Sequence, residues 1–179
     1  ILTFFSGFGL GTILMPVFAL FFPLEMAIAL TGVVHLLNNL FKMYLVGKEA
    51  NWRIVIKFGA PAVISALIGA WLLMSFSETT EWYIYTLGGK EFMITPIKVV
   101  VAFLMFGFSF LELMPFFKKL EFAENKLFIG GVISGFFGGL SGHQGALRSA
   151  FLIKYGLSKE SFIATGVMIS SVIDISRVS

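Results

Sequence analysis

Apolar runs of about 20 residues, the length that crosses a hydrocarbon core, alternate along this chain with short polar connectors. The pattern predicts six helical spans. The first covers about Ile1 to Phe22 and is interrupted near Gly7–Gly11. The second starts at Pro23, a residue suited to a first helical turn, and ends near Val46. A charged connector from Gly47 to Arg53 leads to the third, about Ile54 to Met74. Within it Ser65 and Gly69 have the small-xxx-small spacing that lets another helix approach closely. The fourth runs from Ile97 to Leu113 before Pro115, and a polar connector follows from Lys118 to Lys126. The fifth, Leu127 to Ile153, is broken around Gly138–Gly145. The sixth runs from Lys159 beyond Asp174. Only Ser77–Thr95 is long and mixed, and it reads as an interfacial loop anchored by Trp82, Tyr83 and Tyr85.

The predicted fold class is therefore all-α and polytopic: about six transmembrane helices, with two internally repeated units that each contain a Gly-broken helix. Residues 1–75 form a first membrane repeat, 76–96 the interfacial loop, and 97–179 the fourth span plus a second repeat. Composition agrees. Charged residues are only 13% of the chain, 22 of 179 residues are Phe, and mean hydropathy is +0.93, about half the charge of a soluble domain. The absence of cysteine removes disulfides, thiolate chemistry and soft-metal sites. No basic cluster with interleaved aromatics supports nucleic-acid binding, and no cofactor or metal is expected. Basic residues of the Gly47–Arg53 and Lys118–Lys126 connectors put that side in the cytoplasm by the positive-inside rule. Lys90, Lys98, Lys154 and Lys159 are assigned to the opposite side. The chain ends read as cut, which predicts one or two further spans beyond them.

The two halves echo one another. Thr31-Gly32-Val33 and Thr165-Gly166-Val167 stand 165 − 31 = 134 positions apart, and the same offset carries Gly11 onto Gly145. Six spans make such copies parallel, unless one broken segment is re-entrant and the copies are inverted.

Polar residues inside these runs carry the candidate chemistry. Thr31, His35, Asn38, Asn39 and Lys42 share one helical face. Such a stripe either lines a permeation route or bridges helices, and Lys42 is expected to reach the cytoplasmic surface. The richest segment is Gly138-Gly139-Leu140-Ser141-Gly142-His143-Gln144-Gly145-Ala146-Leu147-Arg148. Its glycines break the helix, and a half-helix resuming at Gly145 presents free N–H groups to an anion. Arg148, in that first turn, offers a planar fork suited to an oxyanion of sulfur or phosphorus or to a carboxylate. Ser141, His143 and Gln144 add neutral hydrogen-bonding groups, and Gly142 and Gly145 allow close approach. The alternative for Arg148 is a structural ion pair with Asp174 or Glu112. In the first half, Gly9 and Gly11 would donate backbone N–H groups without charge.

Gly7-x-Gly9-x-Gly11 followed by Pro16, the second Gly-rich break and the Thr-Gly-Val after each resemble the TauE/SafE sulfite exporter family, also called the toluene-sulfonate uptake permease family. The similarity runs over essentially the whole chain, as a truncated member. It implies a multi-span, duplicated carrier of sulfite, sulfonates or related organosulfur anions in the cytoplasmic membrane, and not an enzyme. Its glycine motif covers Gly7, Gly9, Gly11, Gly138, Gly139, Gly142 and Gly145, whereas His143-Gln144 depart from the plain glycine form. The implied partners are a small anion, coupled to protons if a nearby His or carboxylate takes part, the lipid bilayer and, as an option, a second copy of the chain. Two other classes compete. A passive anion channel would use the same broken segments as a filter. A rhomboid-like intramembrane serine protease is mimicked by Gly139-Leu140-Ser141-Gly142 and by His35 with Asn39, but no span after Ser141 supplies the His base.

Overall fold

A computed structural model describes residues 10–77, 81–113, 122 and 124–178. Over these residues the chain forms seven α-helices: α1 Leu10–Ala19, α2 Leu24–Val46, α3 Trp52–Ser77, α4 Pro96–Leu113, α5 Leu127–Ser141, α6 Gly145–Leu152 and α7 Lys159–Val178. The helix bounds follow the apolar runs. Pro23 caps α2 with an extended backbone, as its fixed φ favours, and Gly47 ends that helix. Of these segments, Leu24–Glu49 and Trp52–Phe76 are each long and apolar enough to cross a membrane, while Pro96–Phe110 and Leu127–Ser141 are shorter apolar helices. Helix α7 has the length, at 20 residues, but carries Lys159, Glu160, Asp174 and Arg177.

The expected interfacial loop is instead a β-hairpin. Strands β1 (Tyr83–Leu87) and β2 (Lys90–Ile94) pair antiparallel in the register Tyr83↔Ile94 to Leu87↔Lys90. The two-residue turn is Gly88-Gly89, both at positive φ (60° and 78°), the geometry a twisted hairpin requires. Tyr85 and Phe92 stack across it at 5.3 Å.

Two helix pairs organise the bundle, α3 with α5 and α2 with α7. In the first, backbone meets backbone. A Cβ on Gly131, Gly135 or Gly139 would overlap the carbonyl oxygen of Phe58, Ala62 or Ala66 respectively, and one on Gly69 would overlap that of Phe136. The partners advance together in steps of four, so α3 and α5 run parallel. Ser65 and Gly69 thus do mark a close-packing face, and its counterpart is the Gly131-x3-Gly135-x3-Gly139 row of α5. Gly139 therefore serves packing and does not belong to the helix break.

In the second pair the partners run oppositely. Asn39 meets Asp174, Gly47 lies beside Met168, and the Asn51 N–H donates to Thr165 Oγ1 at 2.9 Å. Helix α2 is antiparallel to α7.

The predicted fifth span does not run on through its break. Gln144 lies against Gly138, Phe151 covers Gly130, and the Phe122 N–H reaches the Ala150 carbonyl at 3.3 Å. Helix α6 thus folds back alongside α5, and the pair is a helical hairpin. Hydropathy counts apolar residues and does not register direction, so a hairpin and a crossing look alike in sequence. One consequence is that Lys154 and Lys159 fall at the end of the bundle that holds Lys48 and Arg53, not at the opposite end.

The burial pattern departs from that of a water-soluble protein, with large apolar side chains outside and a polar group inside. Phe103, Phe106, Trp71 and Tyr44 are exposed, whereas Thr31, Asn39, Lys42, Ser134, Arg148, Thr165, Ser170 and Asp174 are buried. Polar side chains in a lipid-facing bundle turn inward for the same reason that apolar ones do in water. Apolar packing brackets them at both ends. Ile54, Phe58, Leu127, Phe151, Leu152 and Ile169 form one cluster, and Met15, Leu24, Ile28, Leu73, Val101 and Leu140 form the other.

Candidate functional site

The turn between α5 and α6 is built from the end of one helix and the start of another. Gly142 takes the left-handed conformation (φ 79°) that ends α5, and its N–H bonds to the Gly138 carbonyl at 2.9 Å. That conformation is open to glycine at little cost and closed to most other residues. The break therefore occupies Gly142–Gln144, narrower than the Gly138–Gly145 stretch expected, because Gly138 and Gly139 remain helical. Gly145 begins α6 as anticipated. Ser134 clamps the turn from the previous helix by donating from Oγ to the Gln144 carbonyl at 3.0 Å. Phe108, on α4, stacks on the His143 ring with centroids 5.9 Å apart and planes 2° from parallel.

Arg148 sits one turn into α6, 5% exposed. Its Nη1 donates to Ser170 Oγ, and Gly166 on α7 leaves room for the guanidinium, since a Cβ there would stand 3.4 Å from Nε. Asp174 is fully buried and acts electrostatically on Arg148. Asp174 also accepts from Asn39 Nδ2 and from Gln144 Nε2, each at 3.3 Å. Lys42, 3% exposed, does not reach the surface as expected. It lies within the field of the Arg148 charge. Helices α2, α6 and α7 and the turn between α5 and α6 thus converge on one buried polar cluster. Among the described residues it contains two cations and one carboxylate.

The structure brings together Arg148, Gln144 and Asn39 of the anticipated residues, with His143 beside them at the turn. Ser141 is fully buried, but its hydroxyl donates to the Phe137 carbonyl one helical turn back at 2.9 Å. His143 Nδ1 donates to the Ser141 carbonyl at 2.8 Å. The arrangement a serine protease needs, a ring nitrogen on the serine hydroxyl, is not what these two residues form. His35 and Asn38 lie half-buried on α2, and no hydrogen bond among the described residues joins Asn38 to the cluster. Gly11 is the second residue of α1, while Gly7 and Gly9 lie outside the described residues, as does the side chain of Glu112.

Sequence reasoning offers Asp174 as a structural partner for Arg148 or for Arg177; in the structure it is the hub of the cluster, accepting from Asn39 and Gln144. It did not place Ser170, Gly166 or Ser134 at the site. The first two were legible: Gly166, Ser170 and Asp174 stand at i, i+4 and i+8 on α7, a small-polar stripe matching the one on α2.

The family model described as "Sulfite exporter TauE/SafE" matches residues 1–179, the whole chain. No curated protein matches, and no solved structure does.

Proposed function

This chain belongs to the sulfite exporter TauE/SafE family, a family of membrane transporters, and on that basis we propose that it is a multi-pass secondary transporter of the cytoplasmic membrane. Its cargo is a small sulfur-containing anion, sulfite or an organosulfonate, held at the re-entrant turn. The observation that carries this reading is the buried cluster around Arg148. Two cations and one carboxylate among the described residues share a low-dielectric interior, where a permanent guanidinium is costly unless an anion or water meets it. The N–H groups at the start of α6 lack carbonyl partners one turn back and add to the same field. In this reading Asp174 steadies Arg148 when the site is empty, and the anion shares the guanidinium when it is full.

The placement of the break supports the same reading. Backbone polar groups inside a membrane are tolerated only where protein or a wet cavity covers them. The turn lies about 20 Å along α5 from its start, at 1.5 Å per residue, under Phe108 and against α2 and α7. A paired device is indicated by the internal echo. Adding 134 to the start of α1 and of α2 gives 10 + 134 = 144 and 24 + 134 = 158, within a residue of the starts of α6 and α7. In this reading the antiparallel α2 and α7 belong to inverted copies, an arrangement that places a substrate site where two copies meet. With the turn folded back, Lys48, Arg53, Lys57, Lys126, Lys154 and Lys159 share one end, against Lys90 and Lys98 at the hairpin end, which supports a cytoplasmic first end by the positive-inside rule.

The test is flux of labelled sulfite and of methanesulfonate in proteoliposomes holding the full chain. Saturable, trans-stimulated uptake is the expected result. Conductance that does not saturate would replace the carrier with a pore, and absence of any sulfur-anion flux would refute the substrate class.

A further inference from the structure

The cluster contains one acceptor that its neighbours leave unused, and it specifies the cargo more closely. Gln144 is 3% exposed. Its Nε2 donates to Asp174 Oδ1. A carboxylate only accepts, so the amide must turn its NH2 toward Asp174 and its Oε1 away. That Oε1 is buried without a hydrogen-bond partner among the described residues. The side chain has little freedom to swing elsewhere, because Gly138 lies directly beneath it: a Cβ at Gly138 would stand 3.1 Å from Gln144 Cβ and 3.6 Å from Cδ. Its backbone is pinned as well, the carbonyl accepting from both Ser134 Oγ and the Arg148 N–H. A fixed, buried, unpaired carbonyl costs free energy unless something donates to it. It is the N-cap of α6, one turn from the guanidinium and on the same turn as the free N–H groups.

We infer that the site selects an oxyanion carrying its own hydroxyl, whose O–H donates to Gln144 Oε1 while its other oxygens face Arg148 and the α6 N–H groups. This rests on the transport reading above. Hydrogen sulfite and hydroxyalkanesulfonates belong to the class. Fully deprotonated sulfite, sulfate and plain alkanesulfonates do not. Gln144 is then the residue that separates them, by the rule that a site built around a substrate hydroxyl discriminates strongly against an analogue lacking it.

The experiment is calorimetric titration of the purified full chain with hydroxymethanesulfonate and with ethanesulfonate. The two are monoanions of nearly equal size that differ by a hydroxyl in place of a methyl. Sulfate serves as an oxyanion without a hydroxyl. The expected result is at least about tenfold tighter binding of hydroxymethanesulfonate than of ethanesulfonate, with sulfate weaker than hydroxymethanesulfonate. Gln144→Met, which keeps the length but removes the acceptor, is expected to bring the ratio of the two sulfonates close to one. Equal affinities in the unmodified protein would overturn the inference and assign Oε1 to a resident water, leaving the anion site standing. No binding of any of the three, nor of sulfite, would overturn the transport reading and this inference with it. The wild-type comparison decides even if the variant fails to fold.

Discussion

Replacing Asp174 by Asn tests the electrostatic account of the cluster. The substitution keeps volume and shape but removes the only carboxylate among the described residues of the cluster, raising its formal charge from +1 to +2. Asp174 accepts from Asn39 and Gln144 and faces Arg148. Two hydrogen bonds to a charged acceptor contribute about 1.5–3 kcal/mol each, so about 3–6 kcal/mol is at stake. That range overlaps the roughly 3–5 kcal/mol expected when one partner of a buried ion pair is deleted. Removing the second cation should offset part of the loss, since Lys42→Met with Asp174→Asn returns the cluster to +1. The assay is unfolding of the purified protein by SDS titration from mild detergent, followed by fluorescence of Trp52, Trp71 and Trp82. Asp174→Asn is expected to unfold far earlier than wild type. Lys42→Met is expected to stabilise the Asp174→Asn background by more than it does the wild type, the signature of direct coupling. An Asp174→Asn protein within about 0.5 kcal/mol of wild type, or a cycle with no coupling, would refute the reasoning.

Other expectations follow from the packing and the topology. Gly135→Ala would drive a Cβ into the Ala62 carbonyl and part α3 from α5, costing about 1–3 kcal/mol as overpacking, whereas Gly59→Ala, with open space around it, should be neutral or slightly stabilising; the same unfolding assay compares them. Gly142→Ala forces a side chain into a positive-φ turn and should cost about 1 kcal/mol or more, lowering sulfite uptake in proportion to lost folded protein or lost turn geometry. The chain has no cysteine, so Lys154→Cys and Lys48→Cys can be probed with an impermeant maleimide in oriented vesicles. Both should label from the cytoplasmic face and Gly89→Cys from the other, and labelling of Lys154→Cys with Gly89→Cys would restore a crossing fifth span. Arg148→Lys should weaken anion binding by about tenfold or more, because the planar two-point fork is lost while the charge is kept.

Much of this architecture was written in the apolar runs. Their lengths set the bounds of α2, α3 and α4, and the glycine cluster before Arg148 announced a helix break that the structure contains. What the sequence withheld was direction. A hydropathy run that stops at Gly142 and resumes at Gly145 reads the same whether the chain continues or doubles back, and the error carried Lys154 and Lys159 to the wrong end. Lys42 misled for a related reason. A lysine four residues from a helix end ordinarily snorkels, but here α7 covers that end and supplies Asp174 to the same cluster. The glycines of α5 were read for their power to break a helix, when the four-residue spacing of Gly131, Gly135 and Gly139 already described a contact face. Gly88-Gly89 between alternating aromatic and aliphatic residues was a hairpin signal that membrane context obscured.

The most direct test of an anion site at the re-entrant turn is sulfite uptake into proteoliposomes by wild type, Arg148→Lys and Arg148→Ala at matched folded protein. The account predicts saturable uptake that falls stepwise across the three and is lost with alanine. Uptake by Arg148→Ala equal to that of wild type would contradict it.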